Sequence, residues 1–422
     1  MTLHIVVVTY NWPPRNAIGT HRPYSWAKYW SMAGAKVTVL TSAKQFFDGP
    51  LDLDLPAPDG VDVIEVPFSM ALAKASSGSV ATGKVRRLLK SFKQFLGQHL
   101  GVVFDPRDGW IGAASSEIER LANSADIVVS TFGPRASHVI ADRMKAINGR
   151  IFWVADYRDL WSQNHLAPYS PRARGAEQRK ELETVAANAD LVTTVSEELA
   201  QELGSMLGKQ VEVVYNGFDF ENSKAVPDPT SMVSKPRSIV YTGLLYEGSR
   251  DPTPLFCALR ELLDQGAIDE TTFQVDFYGP ETAWLPVLVR KFSLEQVVRV
   301  RGAVSRPAAL EAQRNAGVLL LLESPDVAAK GVLTGKLFEY IGAGRPILSL
   351  GSSSDSAICR VLAATGTGFG LQEDVQSIKL FLTGWVADGF VTGYSPREDV
   401  IAGFSRRQQA ENLLQLIRHH AA

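Results

Sequence analysis

Gly317-Val-Leu-Leu-Leu-Leu-Glu323, followed by Thr334-Gly-Lys-Leu-Phe-Glu-Tyr-Ile-Gly-Ala343 and Pro346-Ile-Leu-Ser-Leu-Gly351, reads as strand, helix and strand. The two flanking runs are short and almost wholly apolar, as in strands covered on both faces. The middle run is helical in period, and Gly342 and Gly344 let it stop sharply before Pro346. A strand, a helical crossover and a second strand make a parallel βαβ unit, the building block of doubly wound sheets.

The same alternation runs outward in both directions. Upstream, strands are expected at Leu3–Tyr10, Lys36–Ser42, Val61–Pro67, Asp126–Phe132, Ile151–Tyr157, Leu191–Ser196 and Val211–Tyr215. Helices are expected between them at His21–Ala33, Pro134–Ile147, Glu177–Asn188 and Glu197–Leu207. The rhythm breaks at Glu221–Pro236, where three prolines and several polar residues leave no apolar period. It resumes with strands at Ser238–Gly243, Phe273–Gly279, Val297–Gly302, Gly317–Glu323, Pro346–Gly351 and Gly368–Leu371. The intervening helices are Pro252–Gln265, Ala308–Ala316, Thr334–Ala343 and Ser356–Ala363, and one long helix is expected over Pro396–His420. The reading is therefore α/β: a first domain over residues 1–220, a linker at 221–236, a second domain over 237–395 and a closing helix over 396–422. Two doubly wound domains of this kind bind ligands at the carboxyl ends of their strands.

Composition narrows the function. The 422 residues carry Lys+Arg 43 against Asp+Glu 45, a net charge of -2, so the chain lacks the basic excess of a nucleic-acid binder. Cys257 and Cys359 are too far apart for a zinc ribbon or a disulfide framework and suit a reducing compartment. There is no run of roughly 18 apolar residues and no basic segment ahead of an apolar one at the start, so a cytoplasmic enzyme is expected.

Candidate site residues follow from the turns. After the first strand, Tyr10-Asn-Trp-Pro-Pro-Arg-Asn-Ala-Ile-Gly-Thr-His-Arg22 lacks a G-x-G-x-x-G dinucleotide signature but places Gly19 just before a helix. Phosphate there and a plain turn are equally good readings. In the quoted second-half stretch, Thr334 and Gly335 would present helix-start amides, Lys336 adds a cation, and Glu339 lies one turn on along the same face. Amides and a lysine suit a diphosphate, and a carboxylate accepts two vicinal ribose hydroxyls. The same Lys and Glu would equally serve a solvated helix.

The run Gly331–Leu348 resembles the donor-binding helix of family 4 glycosyltransferases, retaining enzymes of the GT-B fold with two facing Rossmann-like domains. Val154-Ala-Asp-Tyr-Arg-Asp-Leu-Trp161 resembles the D-x-R-D-x-W segment of bacterial members that build surface polysaccharides. Asn216-Gly-Phe-Asp219 is similar to the turn before the family's linker, and Tyr241-Thr-Gly-Leu-Leu-Tyr-Glu-Gly-Ser-Arg250 to the first strand and loop of its donor domain. The resemblance implies that Arg250 and Lys336 neutralise a donor diphosphate. It further implies that Gly19, Gly243, Gly335 and Leu337 line the donor, Glu339 binds the ribose, and Asp159, Arg158 or Asp156 meets sugar or acceptor. A UDP-sugar is expected before a GDP-sugar, with a glycan, lipid-linked or small-molecule acceptor and no metal. The closing helix would pack back on the first domain. One position departs: the family's E-x7-E pattern puts a glutamate where this chain has Gly331, with Asp326 or Lys330 as the nearest substitute.

Other features yield less. Asp52-Leu-Asp54 is literally a D-x-D metal signature, but it sits in the acidic, proline-flanked stretch Asp48–Asp59 and reads as surface. The seven histidines show no H-x-x-x-H spacing. Lys84–Leu96 holds five basic residues beside an apolar stripe, which fits either a helix lying on an anionic membrane or an ordinary domain helix. Two rival readings stay open: a GT-B nucleotide-sugar epimerase or hydrolase, and a nucleotide-sugar-binding module without catalysis.

Overall fold

The computed structural model describes residues 2–68, 101–164, 167, 169–219, 237–324, 331–351 and 353–421. The linker expected at 221–236, the basic segment Lys84–Leu96, Asp326 and Lys330 lie outside the described residues. The chain divides into two compact units, Met1–Asn216 with Arg406–Ala422, and Gly217–Ser405.

The first unit holds a parallel seven-stranded sheet. Its strands are β1 His4–Val8, β2 Lys36–Ser42, β3 Val61–Val66, β4 Ile127–Thr131, β5 Phe152–Tyr157, β6 Leu191–Thr194 and β7 Glu212–Val213. They lie in the order β3-β2-β1-β4-β5-β6-β7. The near-continuous apolar runs are explained by burial on both faces: Val6 and Val8 point into one core cluster, Ile5 and Val7 into another. The edge strand β3 is only partly covered and correspondingly carries Asp62 and Glu65.

The second unit repeats the plan with β8 Arg237–Thr242, β9 Phe273–Tyr278, β10 Val298–Gly302, β11 Val318–Leu322, β12 Ile347–Leu350 and β13 Gly368–Gly370. All are parallel, in the order β10-β9-β8-β11-β12-β13. In both sheets the chain reverses direction of build beside its first strand, between β1 and β4 and between β8 and β11. That switch point opens a crevice at the carboxyl edge, where loops from both sides diverge.

Local signals set the helix boundaries. Ser196, Ser305 and Ser356 each accept an amide hydrogen of the first turn, from Leu199, Ala308 and Cys359. The helix Pro171–Glu181 starts six residues before the expected Glu177, because Ser170 caps it and Pro171 fits its first turn. The expected single helix over Pro396–His420 is two, Glu398–Gly403 and Arg406–Ala421. The break comes where Phe404 O accepts from Phe218 N and Ser405 bridges Phe218 in parallel.

The closing helix Arg406–Ala421 packs on the first unit, as the resemblance implies. Leu413, Leu414 and Ile417 are buried in the cluster that contains Val7, Trp26 and Trp30. Trp30 Nε1 donates to Ala410 O at 2.8 Å, and Tyr215 N donates to Gln409 Oε1 at 2.8 Å. Each of the three aliphatic side chains stabilises the contact by about 1.5–3 kcal/mol.

Candidate functional site

The switch point of the second sheet gathers Gly243, Lys336, Tyr241, Glu323 and Arg250. Gly243 follows β8 with φ +117, and its amide donates to Tyr278 O at 2.7 Å. A Cβ there would stand 2.5 Å from Lys336 Cε and 2.7 Å from Nζ. The missing side chain is what lets the lysine lie across the strand end. Lys336 Nζ donates to Tyr241 Oη at 2.7 Å and sits 4.2 Å above the Tyr241 ring. Among the described residues it forms no ion pair.

Glu323 closes β11. It is 8% exposed, and its Oε1 has no hydrogen-bond partner among the described residues. Burial pushes its carboxyl up to about 7, against the pull of Arg250 and Lys336. Burial likewise drives the Lys336 ammonium down to about 7, with Arg250 adding repulsion while Glu323 and Glu339 oppose. The Arg250 guanidinium lies 5.2 Å from the Tyr246 ring centroid and has no carboxylate partner among the described residues. Among the described residues this crevice therefore holds two cations without paired anions, and burial penalises the charge on Lys336. An incoming anion would relieve both.

The helix Gly335–Ala343 points its start at the same place. Thr334 precedes it in extended conformation without a side-chain cap, its Oγ1 buried and unpartnered among the described residues. The first-turn amides of Gly335 and Lys336 have no acceptor within the helix, as at any helix start. Leu337 differs from expectation. Its side chain is fully buried and its amide donates to Thr334 O, so it anchors the helix and offers a ligand nothing directly. Glu339 is engaged as well, with Oε1 2.8 Å from Arg306 Nη2. A ribose would have to share that carboxylate with Arg306.

The carboxyl edge of the first sheet is arranged otherwise. Asp156, expected as a second sugar or acceptor contact, is 0% exposed. Arg22 grips it through Nε at 3.1 Å and Nη2 at 2.6 Å, while Thr131 and Thr193 hydroxyls donate at 2.9 Å each. Every lone pair facing the protein is used, and this corrects its assignment: Asp156 ties β5 to the first helix and to β4 and β6. Arg158 pairs with its neighbour Asp159 and covers Gly19, where a Cβ would stand 1.4 Å from Nη1. Gly19 thus makes room for a guanidinium belonging to its own unit. Asp159 remains half-exposed. Trp161 stacks on Phe132 and donates Nε1 to Glu177 at 2.8 Å, so the segment's last residue is core. Asp52 accepts from Asn16 at an exposed position, and among the described residues no group of His, Cys, Asp and Glu is placed to hold a metal. None of the described helices is long and apolar enough to cross a membrane.

Sequence reasoning overlooked Tyr241, Glu323 and Arg306. Glu323 left a trace, as the one acid ending a run of four leucines on a strand at the switch point. Arg306 left none, because its partner is fixed only by packing between two helices.

No protein-family model matches the chain, and no curated protein resembles it significantly. Solved structures do. Sucrose-phosphate synthase from Thermosynechococcus elongatus aligns with TM-score 0.64 and 14% identity over 99% of this chain and 98% of that one. Anabaena HepE, solved in complex with UDP-glucose, aligns with TM-score 0.61 and 13% identity over 99% and 100%. The lipopolysaccharide outer core galactosyltransferase WaaB, in apo form, aligns with TM-score 0.59 and 16% identity over 99% of each chain. At such identities the likeness is one of fold: two Rossmann-like parallel-sheet domains, as in GT-B proteins.

Proposed function

We propose that the chain is a glycosyltransferase of the GT-B, family 4 type, moving one hexosyl unit from a UDP-sugar to a glycan or lipid-linked acceptor in surface-polysaccharide assembly. The observation that carries this reading is the pair of cations, Lys336 and Arg250, held without carboxylate partners among the described residues at the second sheet's switch point. The UDP-glucose bound to Anabaena HepE and the likeness to the galactosyltransferase WaaB are consistent with it.

In this reading the diphosphate lies on Lys336, Arg250 and the start of the Gly335–Ala343 helix, across Gly243, and Glu339 accepts the ribose hydroxyls. As the acceptor oxygen bonds to the anomeric carbon, the bond from that carbon to the β-phosphate oxygen breaks. The electron pair leaves on the diphosphate and the hydroxyl proton is released. Lys336 and Arg250 stabilise the charge that grows on the leaving group. Arg158 and Asp159 are the first unit's candidates for acceptor or sugar contact, and configuration is retained.

Thermal unfolding across a panel of nucleotides and nucleotide sugars tests the proposal, because a ligand of the native state alone raises its unfolding temperature. UDP and at least one UDP-sugar should raise it. An unchanged temperature with every nucleoside diphosphate would overturn the reading. With an active donor and acceptor pair, the anomeric proton coupling of the product reads retention directly, and sugar release without an acceptor would point to a hydrolase.

A further inference from the structure

A second cationic cluster sits at the carboxyl edge of the first sheet, on residues that take no part in the donor reading. Its hub is Tyr10, fully buried just beyond β1. Around its ring centroid stand Lys44 Nζ at 5.4 Å, Arg15 Cζ at 5.8 Å and Arg107 Cζ at 5.9 Å. They come from three separate segments: the loops after β1 and after β2, and the short 3-10 turn Pro106–Asp108. Three like charges on one ring repel, and attraction to the ring does not by itself account for the third.

The local anions neutralise only one of the three. Arg107 is paired with Asp105 at 2.7–2.8 Å. Asp48 accepts from Tyr10 Oη at 2.9 Å and from the Gln45 amide at 2.7 Å. Arg15 donates Nη1 to the amide oxygen of Asn11 at 2.6 Å, while its Nε, sealed from solvent, has no partner among the described residues. Lys44 donates to Thr41 Oγ1 at 3.2 Å and to Ser42 O at 2.5 Å. Arg15 and Lys44 thus have only neutral acceptors. Burial pushes the Lys44 ammonium down to about 8, with Arg15 adding repulsion against the pull of Glu65 and Asp48.

We infer that Arg15, Lys44 and Arg107 form a binding site for a phosphate group carried by the acceptor. The inference rests on the glycosyltransferase reading for the word acceptor, but the site stands on its own residues. Cations arriving from three separate segments suit the tetrahedral oxygens and double charge of a phosphate better than a flat, singly charged carboxylate.

Titration calorimetry of the full chain with inorganic phosphate, in the presence of saturating UDP, tests the site. Wild type should bind one phosphate. Arg15→Gln and Lys44→Gln should each weaken it at least fivefold and together abolish it, with UDP affinity unchanged. Because the glutamines remove repulsion, the unfolding temperature of Lys44→Gln should hold or rise, whereas a merely structural lysine would lower it. Phosphate affinity kept by the double variant, or no phosphate bound while UDP binds, overturns the inference. A wild type that binds phosphate but not UDP would instead refute the donor reading and leave this site standing. Vesicles containing phosphatidic acid identify the source. Co-sedimentation lost in the double variant assigns a lipid phosphate, and phosphate binding without co-sedimentation assigns a soluble phosphorylated acceptor. Both support the site.

Discussion

The two sheets share a strand order beside their switch points yet treat charge there in opposite ways. In the first, Asp156 is saturated by Arg22, Thr131 and Thr193, and Arg158 is paired with Asp159. In the second, Lys336 rests on a neutral phenol, Arg250 has no carboxylate among the described residues, and Glu323 keeps an unbonded oxygen. The fold supplies the crevice in each case, and pairing decides whether its charges are structural or available. At Arg15 and Lys44, around Tyr10, the first unit also leaves cations to neutral hydrogen-bond acceptors.

That contrast breaks most sharply at Asp156. Replacing it by Ala strands Arg22 as a buried, uncompensated charge, and urea unfolding should register a loss of about 3–5 kcal/mol. UDP affinity of the folded variant should be unaltered. A variant that stays stable but loses transfer would return Asp156 to the chemistry. Next in size, Lys336→Ala and Arg250→Ala should each weaken UDP by roughly ten- to a hundredfold, the worth of a charge-assisted contact at about 1.5–3 kcal/mol. Wild-type affinity in both would mean that these unpaired cations do not meet the nucleotide.

A smaller effect sharpens the comparison through pH. Burial holds the Lys336 ammonium near 7, below its ordinary 10.5, so unliganded protein loses that charge as pH rises through 7. A bound diphosphate favours the charged form, and nearby Glu323 is driven the same way, toward its protonated form. UDP binding at pH 8 should therefore take up protons, seen as a dependence of calorimetric heat on buffer ionisation. Affinity should fall by about threefold per unit above pH 7. Proton-neutral binding would mean that the lysine does not meet the ligand. Least of all, Glu339→Gln should weaken UDP by about threefold, roughly 0.6 kcal/mol, because Arg306 already holds the carboxylate. A larger loss would show the ribose displacing Arg306 outright.

How far the sequence reveals this depends on the range of the interaction. Strands such as Val318–Leu322 announce themselves, since burial on both faces leaves no position for a polar side chain. Lys336 and its helix were legible because the loop, the glycine and the charge are neighbours in the chain. Arg22 and Asp156 lie 134 residues apart, and nothing local marks the aspartate as structural. The motif that suggested catalysis, Asp156 to Trp161, divides on folding into a buried tie, a guanidinium over Gly19, a half-exposed acid and a core indole. The terminal helix could not be read as two, because its break at Phe404 is set by a bridge to Phe218 far upstream.

The return of Arg406–Ala421 to the first unit makes that unit discontinuous in the chain, with Gly217–Ser405 inserted before its last helix. Synthesis runs from the amino end, so the second unit's entire sequence emerges while the face formed by Ile5, Val7, Trp26 and Trp30 still lacks its cover. Until Leu413 and Ile417 have left the ribosome, the half that is translated first stays the half that is finished last.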